Sequence, residues 1–239
     1  SFCGVVGLKP TYGAVSRSGL MAMASSLDQI GPITKTVADA EIIFNAIKGQ
    51  DKLDATSTNS PICPTVDGGN NGQKKIGVPA SLLSDGVDAE VLANFYQAVH
   101  KFRDYGYEIV PIDLSALKYS LACYYVLMPA EVSANLARFD GMRYGVRQSG
   151  DNLLEDYRKT RGEGFGSEVR RRIMLGTYVL SAGYYDAYYN KANEVRELIK
   201  SAYQKAFEQV DVILTPTTPG PAFKLGEKTN DPLQMYLED

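Results

Sequence analysis

A chain of 239 residues is long enough for one ordinary domain with a sizeable core. Lys+Arg 25 against Asp+Glu 28 leaves a formal charge of −3 with 44% apolar residues, a globular balance without the basic excess that marks a nucleic-acid binder. No run approaches the roughly 18–20 consecutive apolar residues of a membrane span and no signal-peptide layout opens the chain, so no membrane partner is expected and the expected location is the cytoplasm or an organelle matrix.

TVADAEIIFNAIKG, from Thr36 to Gly49, predicts a helix. Thr36 can cap its start, Asp39 lies in the first turn, and Val37, Ala40, Ile43 and Ile47 recur at helical spacing before Gly49 ends it. A sheet is the expected partner for that face. Residues 50–74 are polar and turn-rich, with Pro61, Pro64 and GGNNG at 68–72, and are expected to form an exposed connection. KKIGVP predicts a strand, Asp88 a helix cap, and Val91, Leu92, Phe95, Val99 and Phe102 one apolar helix face closed off by Gly106; YEIVPIDL predicts a second strand. Strand, amphipathic helix and strand make a βαβ unit, which favours parallel pairing and an α/β fold. His100, the only histidine, falls on this helix beside Val99 and reads as a partly exposed structural residue.

Residues 120–145 are helix-compatible but interrupted by Pro129. Ten of the sixteen tyrosines fall between Tyr119 and Tyr189, which suits either a pocket or interface wall or a core whose aromatic tips reach water. Val195, Leu198, Ile199, Ala202, Ala206 and Phe207 mark a further amphipathic helix, and DVILTPTTPGPAF reads as a buried strand emptying into a proline-rich loop. In an open α/β sheet, ligands meet such loops at the carboxyl ends of strands.

The chain contains no GxSxG elbow, no GxxxxGK[ST] phosphate loop, no HExxH and no GxGxxG. A single histidine excludes multi-histidine metal sites. Cys3, Cys63 and Cys123 are odd in number, far apart and without CxxC spacing, and read as reduced thiols. The chain starts at Ser1 rather than Met and ends abruptly at Asp239, so both ends read as cuts through structured protein.

SFCGVVGLKPTYGAVSRSGLMAMASSLDQIGPIT resembles the segment that follows the nucleophile region in amidase-signature enzymes. RFDGMRYG at 138–145, GFGSEVRRRIMLGTYVLSAGYYDAYYNKA at 164–192, TPTTPGPAFKLGE and DPLQMY narrow the resemblance to the A subunits of tRNA-dependent amidotransferases, over essentially the whole chain. The resemblance implies a partial amidase-signature domain, an α/β fold with a mixed β-sheet flanked by helices, spanning 1–239 with 76–239 as the substrate-recognition half. It implies hydrolysis of glutamine to supply ammonia for converting misacylated Glu-tRNA(Gln) or Asp-tRNA(Asn). Partner B and C subunits are implied, with misacylated tRNA held mainly by B. No cofactor is expected in this chain, and ATP and Mg²⁺ are used by the B subunit.

Amidase-signature enzymes cleave amides with a Ser–cis-Ser–Lys triad, and the resemblance puts all three members upstream of Ser1. No catalytic residue is therefore expected within these residues, no metal site either, and the isolated chain is expected to be inactive. Ser1, Ser16, Ser18, Ser25 and Ser26 read as backbone-bonding or turn residues, not substitutes. By motif position, the residues that hold the head of glutamine fall on Tyr124, Arg172 and Asp239. A guanidinium grips a carboxylate in bidentate fashion and an acid pairs with an ammonium. From the residues alone, a core tyrosine is the competing reading for Tyr124, and a solvated helical face is the usual explanation for Arg172, which ends an Arg170–Arg172 run. Residues 138–172 hold nine Arg/Lys against six Asp/Glu, which fits a solvated surface or a face toward RNA or a partner. A stand-alone amidase, and a catalytically silent binding fragment or half of a split enzyme, are the alternative readings.

Overall fold

The structure, a computed structural model, describes residues 2–59, 74–83, 86–227 and 235. Two compact units share the chain. One takes the described residues of 1–18, 29–121 and 197–239, the other those of 19–28 and 122–196.

In the first unit, β1 (Val6–Gly7) pairs antiparallel with β2 (Ile33–Thr34). The helix α1 (Val37–Ile47) follows, and the Thr36 hydroxyl accepts from the Asp39 N–H as the sequence predicts. α1 lies against β1 and β2, but only Ala40 on it is buried. Val37, Ile43 and Ile47 stay exposed, so the apolar stripe is helical in period yet mostly uncovered by the described residues. Of the expected connection 50–74, residues 50–59 and 74 are described. Here 51–57 is tied down: Ser16 Oγ donates to Asp51 at 2.7 Å, and the Arg17 N–H donates to Asp54 Oδ2 at 2.8 Å.

The βαβ unit forms as its pattern predicts. β3 (Lys75–Pro79), α2 (Ala89–Asp104) and β4 (Glu108–Ile112) succeed one another, with β3 and β4 parallel and Ile76 opposite Ile109. Asp88 caps α2 by accepting from the Glu90 and Val91 N–H groups, and Phe95 and Val99 pack with Leu83, Val78, Leu92, Ile109 and Leu214. His100 is exposed beside them. The strand order is β4-β3-β5, with β5 (Val212–Ile213) parallel to β3. β5 is shorter and less buried than DVILTPTTPGPAF suggests. Among the described residues it has a neighbour on only one side in this sheet, and Val212 is half-exposed. The opposite sheet face packs Ile112, Leu114, Ala206 and Val210. Gly77 of β3 sits under that cluster, where a Cβ would stand 2.8 Å from Ile112 Cδ1 and 2.9 Å from Val210 Cγ2.

The second unit is helical: the residues from 122 onward of α3 (Ser120–Asn135), then α4 (Leu153–Gly164), α5 (Ser167–Val179), a π-turn at Tyr185–Asn190 and the start of α6 (Lys191–Phe207). Pro129 does not interrupt α3. Proline gives up its N–H and its ring crowds the preceding turn, yet the helix runs on to Asn135 with Pro129 fully buried. α3 and α5 approach at Gly176, where a Cβ would stand 1.8 Å from the Pro129 carbonyl oxygen. That approach lets Met128, Val132 and Leu136 pack with Phe139, Phe165, Val169 and Ile173. A smaller cluster joins Cys123, Leu127 and Ala192, and the Cys123 thiol donates to the Ala192 carbonyl at 3.2 Å. No helix among the described residues is long and apolar enough to cross a membrane.

Candidate functional site

Two residues singled out from the sequence, 48 positions apart, meet across α3 and α5: Arg172 Nη1 donates to Tyr124 Oη at 3.3 Å. Arg172 does not lie on a solvated face. Its side chain is 17% exposed, whereas that of its neighbour Arg171 is 63% exposed. Tyr124 is not a core tyrosine either, being 41% exposed with its ring edge-on to Tyr125. Asp239 lies outside the described residues.

The guanidinium is held from several sides. Its Nε donates to Glu168 Oε1 at 2.9 Å, its Nη1 also reaches the buried Met128 Sδ at 3.7 Å, and its carbon stands 5.5 Å from the centre of the Tyr125 ring. Burial alone would weaken its charge, but hydrogen bonds to Tyr124 and Glu168 outweigh that cost and raise its pKa above the ordinary arginine value. Its Nη2 makes no hydrogen bond among the described residues. The site thus presents a fixed, permanently charged donor edge beside a phenol, which suits a carboxylate.

Glu168 escaped the sequence reading, although its signal was available. It stands four residues before Arg172 and three before Arg171, the spacings that bring helical side chains together. It pairs with both: Arg171 Nη1 takes Oε2 while Arg172 Nε takes Oε1. Tyr125 and Met128 were missed for a different reason. Only the packing of α3 on α5 selects which residues of α3 face Arg172.

The basic stretch 138–172 is largely paired internally. Arg158 approaches Glu155, Arg161 Nη1 donates to the Leu136 and Phe139 carbonyls, and Arg147 pairs with Asp156. Asp156 is buried and also accepts from the Gly150 N–H at 2.5 Å. The buried Thr160 hydroxyl accepts from the Gln148 N–H at 2.9 Å. These two side chains of α4 pin the loop carrying GMRYG. Gly141 turns there with φ +77° and leaves no room for a Cβ beside Thr160. The loop closes one side of an apolar cavity of about 450 Å³ lined by Met21, Met23, Leu136, Phe139, Tyr144 and Val169.

The Gly150 N–H, then the Arg147 guanidinium, hold the Asp156 carboxyl below its ordinary pKa. A depressed folded-state pKa contributes stability above the unfolded carboxylate value and loses it as pH falls through the folded value. We therefore expect Asp156→Asn to be less stable than wild type at neutral pH, with the gap narrowing below about pH 4. Thermal unfolding at a series of pH values checks this, and a gap that is constant with pH counts against it.

Of the ten tyrosines between Tyr119 and Tyr189 none is buried, which favours a surface wall over a core. Tyr178, Tyr184 and Tyr188 cluster with ring centres 4.4–6.1 Å apart. The hydrogen bond to Tyr184, and then burial, push Tyr178 up to about 12. Ser25 and Ser26 are turn residues, as expected, in the turn closed by the Leu27 and Asp28 N–H groups on the Ala24 carbonyl, and their hydroxyls also reach side chains: Ser25 Oγ donates to Asn135 Oδ1, and Ser26 Oγ donates to Glu131. Ser16 does bond locally, accepting from the Ser18 N–H. Among the described residues no group of three or more His, Cys, Asp or Glu is placed to hold a metal ion.

The family model described as Amidase matches residues 1–239. The A subunit of glutamyl-tRNA(Gln) amidotransferase from Thermodesulfovibrio yellowstonii is 56% identical over 243 residues, covering 100% of this chain and 50% of that protein. The protein of the same name from Bacillus velezensis is 55% identical with the same coverage. The chain thus spans about half the length of the curated relatives it matches. The crystal structure of the corresponding A subunit from Thermotoga maritima has a TM-score of 0.74 and 43% identity, covering 100% of this chain and 47% of that one. The peptide amidase of Stenotrophomonas maltophilia has a TM-score of 0.62 and 27% identity, covering 92% and 46%. With a family match along its whole length and the same fold in solved relatives, the chain belongs to the amidase family.

Proposed function

We propose that these residues form the substrate-recognition half of the glutamine-hydrolysing A subunit of a tRNA-dependent amidotransferase. The observation that carries the reading is the Arg172–Tyr124 pair, a half-buried guanidinium held at Nε and Nη1, with no hydrogen bond to Nη2 among the described residues. Relatives at 54–56% identity that bear the name of the glutamyl-tRNA(Gln) amidotransferase A subunit support it.

In this reading Arg172 takes the α-carboxylate of glutamine, Tyr124 braces the guanidinium and borders the head group, and Asp239 pairs with the α-ammonium. The side-chain amide then points to a serine of the Ser–cis-Ser–Lys triad, which lies outside these 239 residues. The serine oxygen attacks the amide carbon as its proton passes through the bridging serine to the neutral lysine, and backbone N–H groups stabilise the oxyanion. Ammonia leaves with a proton relayed from the lysine through the bridging serine, and water hydrolyses the glutamyl ester to glutamate. The ammonia serves a B subunit that uses ATP and Mg²⁺ to activate the acyl group of Glu-tRNA(Gln) or Asp-tRNA(Asn), with a C subunit completing a cytoplasmic complex. A site with paired charges rejects amides that lack an amino-acid head, because such amides leave the charges unmatched.

The test is ammonia release by the full-length protein from glutamine and from an aliphatic amide of similar length. Glutamine is expected to be preferred by at least about a hundredfold in kcat/KM, the discrimination available to a site that pairs polar groups. Equal use of the two amides would overturn the reading in favour of a general amidase. By the same reading, the 239 residues alone release no ammonia.

A further inference from the structure

We propose that Glu168 is a positioning residue for glutamine recognition: it locks the Arg172 guanidinium so that its Nη2 edge faces the ligand carboxylate. This inference rests on the reading above. Arginine has many rotamers and an unrestrained guanidinium sweeps a wide arc, so bidentate capture of a carboxylate requires its plane to be set beforehand. Two fixed points, one at Nε and one at Nη1, set it here. Glu168 Oε1 takes Nε at 2.9 Å and Tyr124 Oη takes Nη1 at 3.3 Å, while the Tyr125 ring limits tilt from the side.

A carboxylate partner carries an apparent contradiction, since its negative charge opposes the anion that Arg172 is to bind. Arg171 resolves it by pairing with the other oxygen of Glu168. Two guanidinium groups and one carboxylate leave a net single positive charge, so Glu168 does not cancel the charge that meets the ligand. Glu168 therefore acts through hydrogen-bond geometry and not through its charge. The conservative amide, which keeps the oxygen acceptor, should preserve its effect.

The experiment compares the full-length wild type with Glu168→Ala, Glu168→Gln and Arg172→Ala, measuring ammonia release from glutamine and from an aliphatic amide. Glu168→Ala is expected to raise KM for glutamine about tenfold, with kcat and turnover of the aliphatic amide little changed, the signature of lost ground-state binding. Glu168→Gln is expected to stay within about threefold of wild type. If Arg172→Ala raises the glutamine KM and Glu168→Ala does not, the positioning role is overturned while the recognition site stands. If Arg172→Ala affects both amides alike, the recognition reading itself fails. Glu168→Ala harming both amides equally, or Glu168→Gln behaving like Glu168→Ala, also overturns positioning, the first pointing to fold support and the second to charge.

Discussion

Gly176→Ala is expected to destabilise the second unit strongly, against the sign that helix propensity gives. In a helix interior alanine is favoured over glycine by about 1 kcal/mol. At position 176, however, the new methyl carbon would stand 1.8 Å from the Pro129 carbonyl oxygen and 2.4 Å from its carbon, with the Ala130 nitrogen at 2.9 Å. All three are backbone atoms of α3, so no side chain can turn aside. The helices must separate, which loosens Met128, Val132 and Leu136 against Val169 and Ile173. Overpacking of this kind costs roughly 3 kcal/mol or more when backbone has to move. In a full-length protein of about twice this length the unfolding midpoint should fall by about 3 °C or more. The control is Gly162→Ala in α4, where nothing lies within 4 Å of the added carbon and propensity should act alone. A neutral or stabilising Gly176→Ala would mean that the close crossing of α3 and α5 is not as described.

Arg172→Ala in the full-length enzyme should raise KM for glutamine about a hundredfold, equivalent to about 2.7 kcal/mol, the scale of a charge-assisted bidentate contact. It should leave turnover of an aliphatic amide nearly unchanged. Arg172→Lys keeps the charge but loses the fork and the bond to Glu168, so an intermediate loss of about tenfold is expected. The pH profile adds an independent check. Because the folded-state pKa of Arg172 is raised, its contribution is complete below the unfolded arginine value and is lost only as pH climbs through the higher folded one. Any rise in glutamine KM between about pH 6 and 10 must therefore come from another group. Equal loss on both amides would show that Arg172 supports the fold instead.

The parts of this molecule legible in its sequence are those fixed by contiguous residues. Thr36 and Asp88 announce their helices because capping is local, and β3, α2 and β4 follow from apolar period and turn residues within one stretch. Pro129 misleads because its effect on a helix depends on whether the turn before it can be accommodated, and the surroundings of α3 decide that. The α1 stripe shows which residues favour burial without saying what covers them. At the site, the residue types of Tyr124 and Arg172 were readable through resemblance. Their meeting was not, since it depends on the absence of a side chain at Gly176. Glu168 lay in plain view at helical spacing but is informative only once Arg172 is known to be the half-buried member of the run.

The β4-β3-β5 order has a consequence for biosynthesis. β5 is separated from β4 by about 100 residues, which a ribosome takes roughly 5–20 s to add. For that interval the emerging chain carries β3 with one edge lacking its parallel neighbour β5, and the helices α3, α4 and α5 are completed one after another before β5 appears. Local helical contacts form quickly and parallel pairing across long loops forms slowly. The helical unit bearing Arg172 and Tyr124 is thus in a position to fold during translation, ahead of the sheet. Slowing elongation between 113 and 211 would prolong exposure of that open edge.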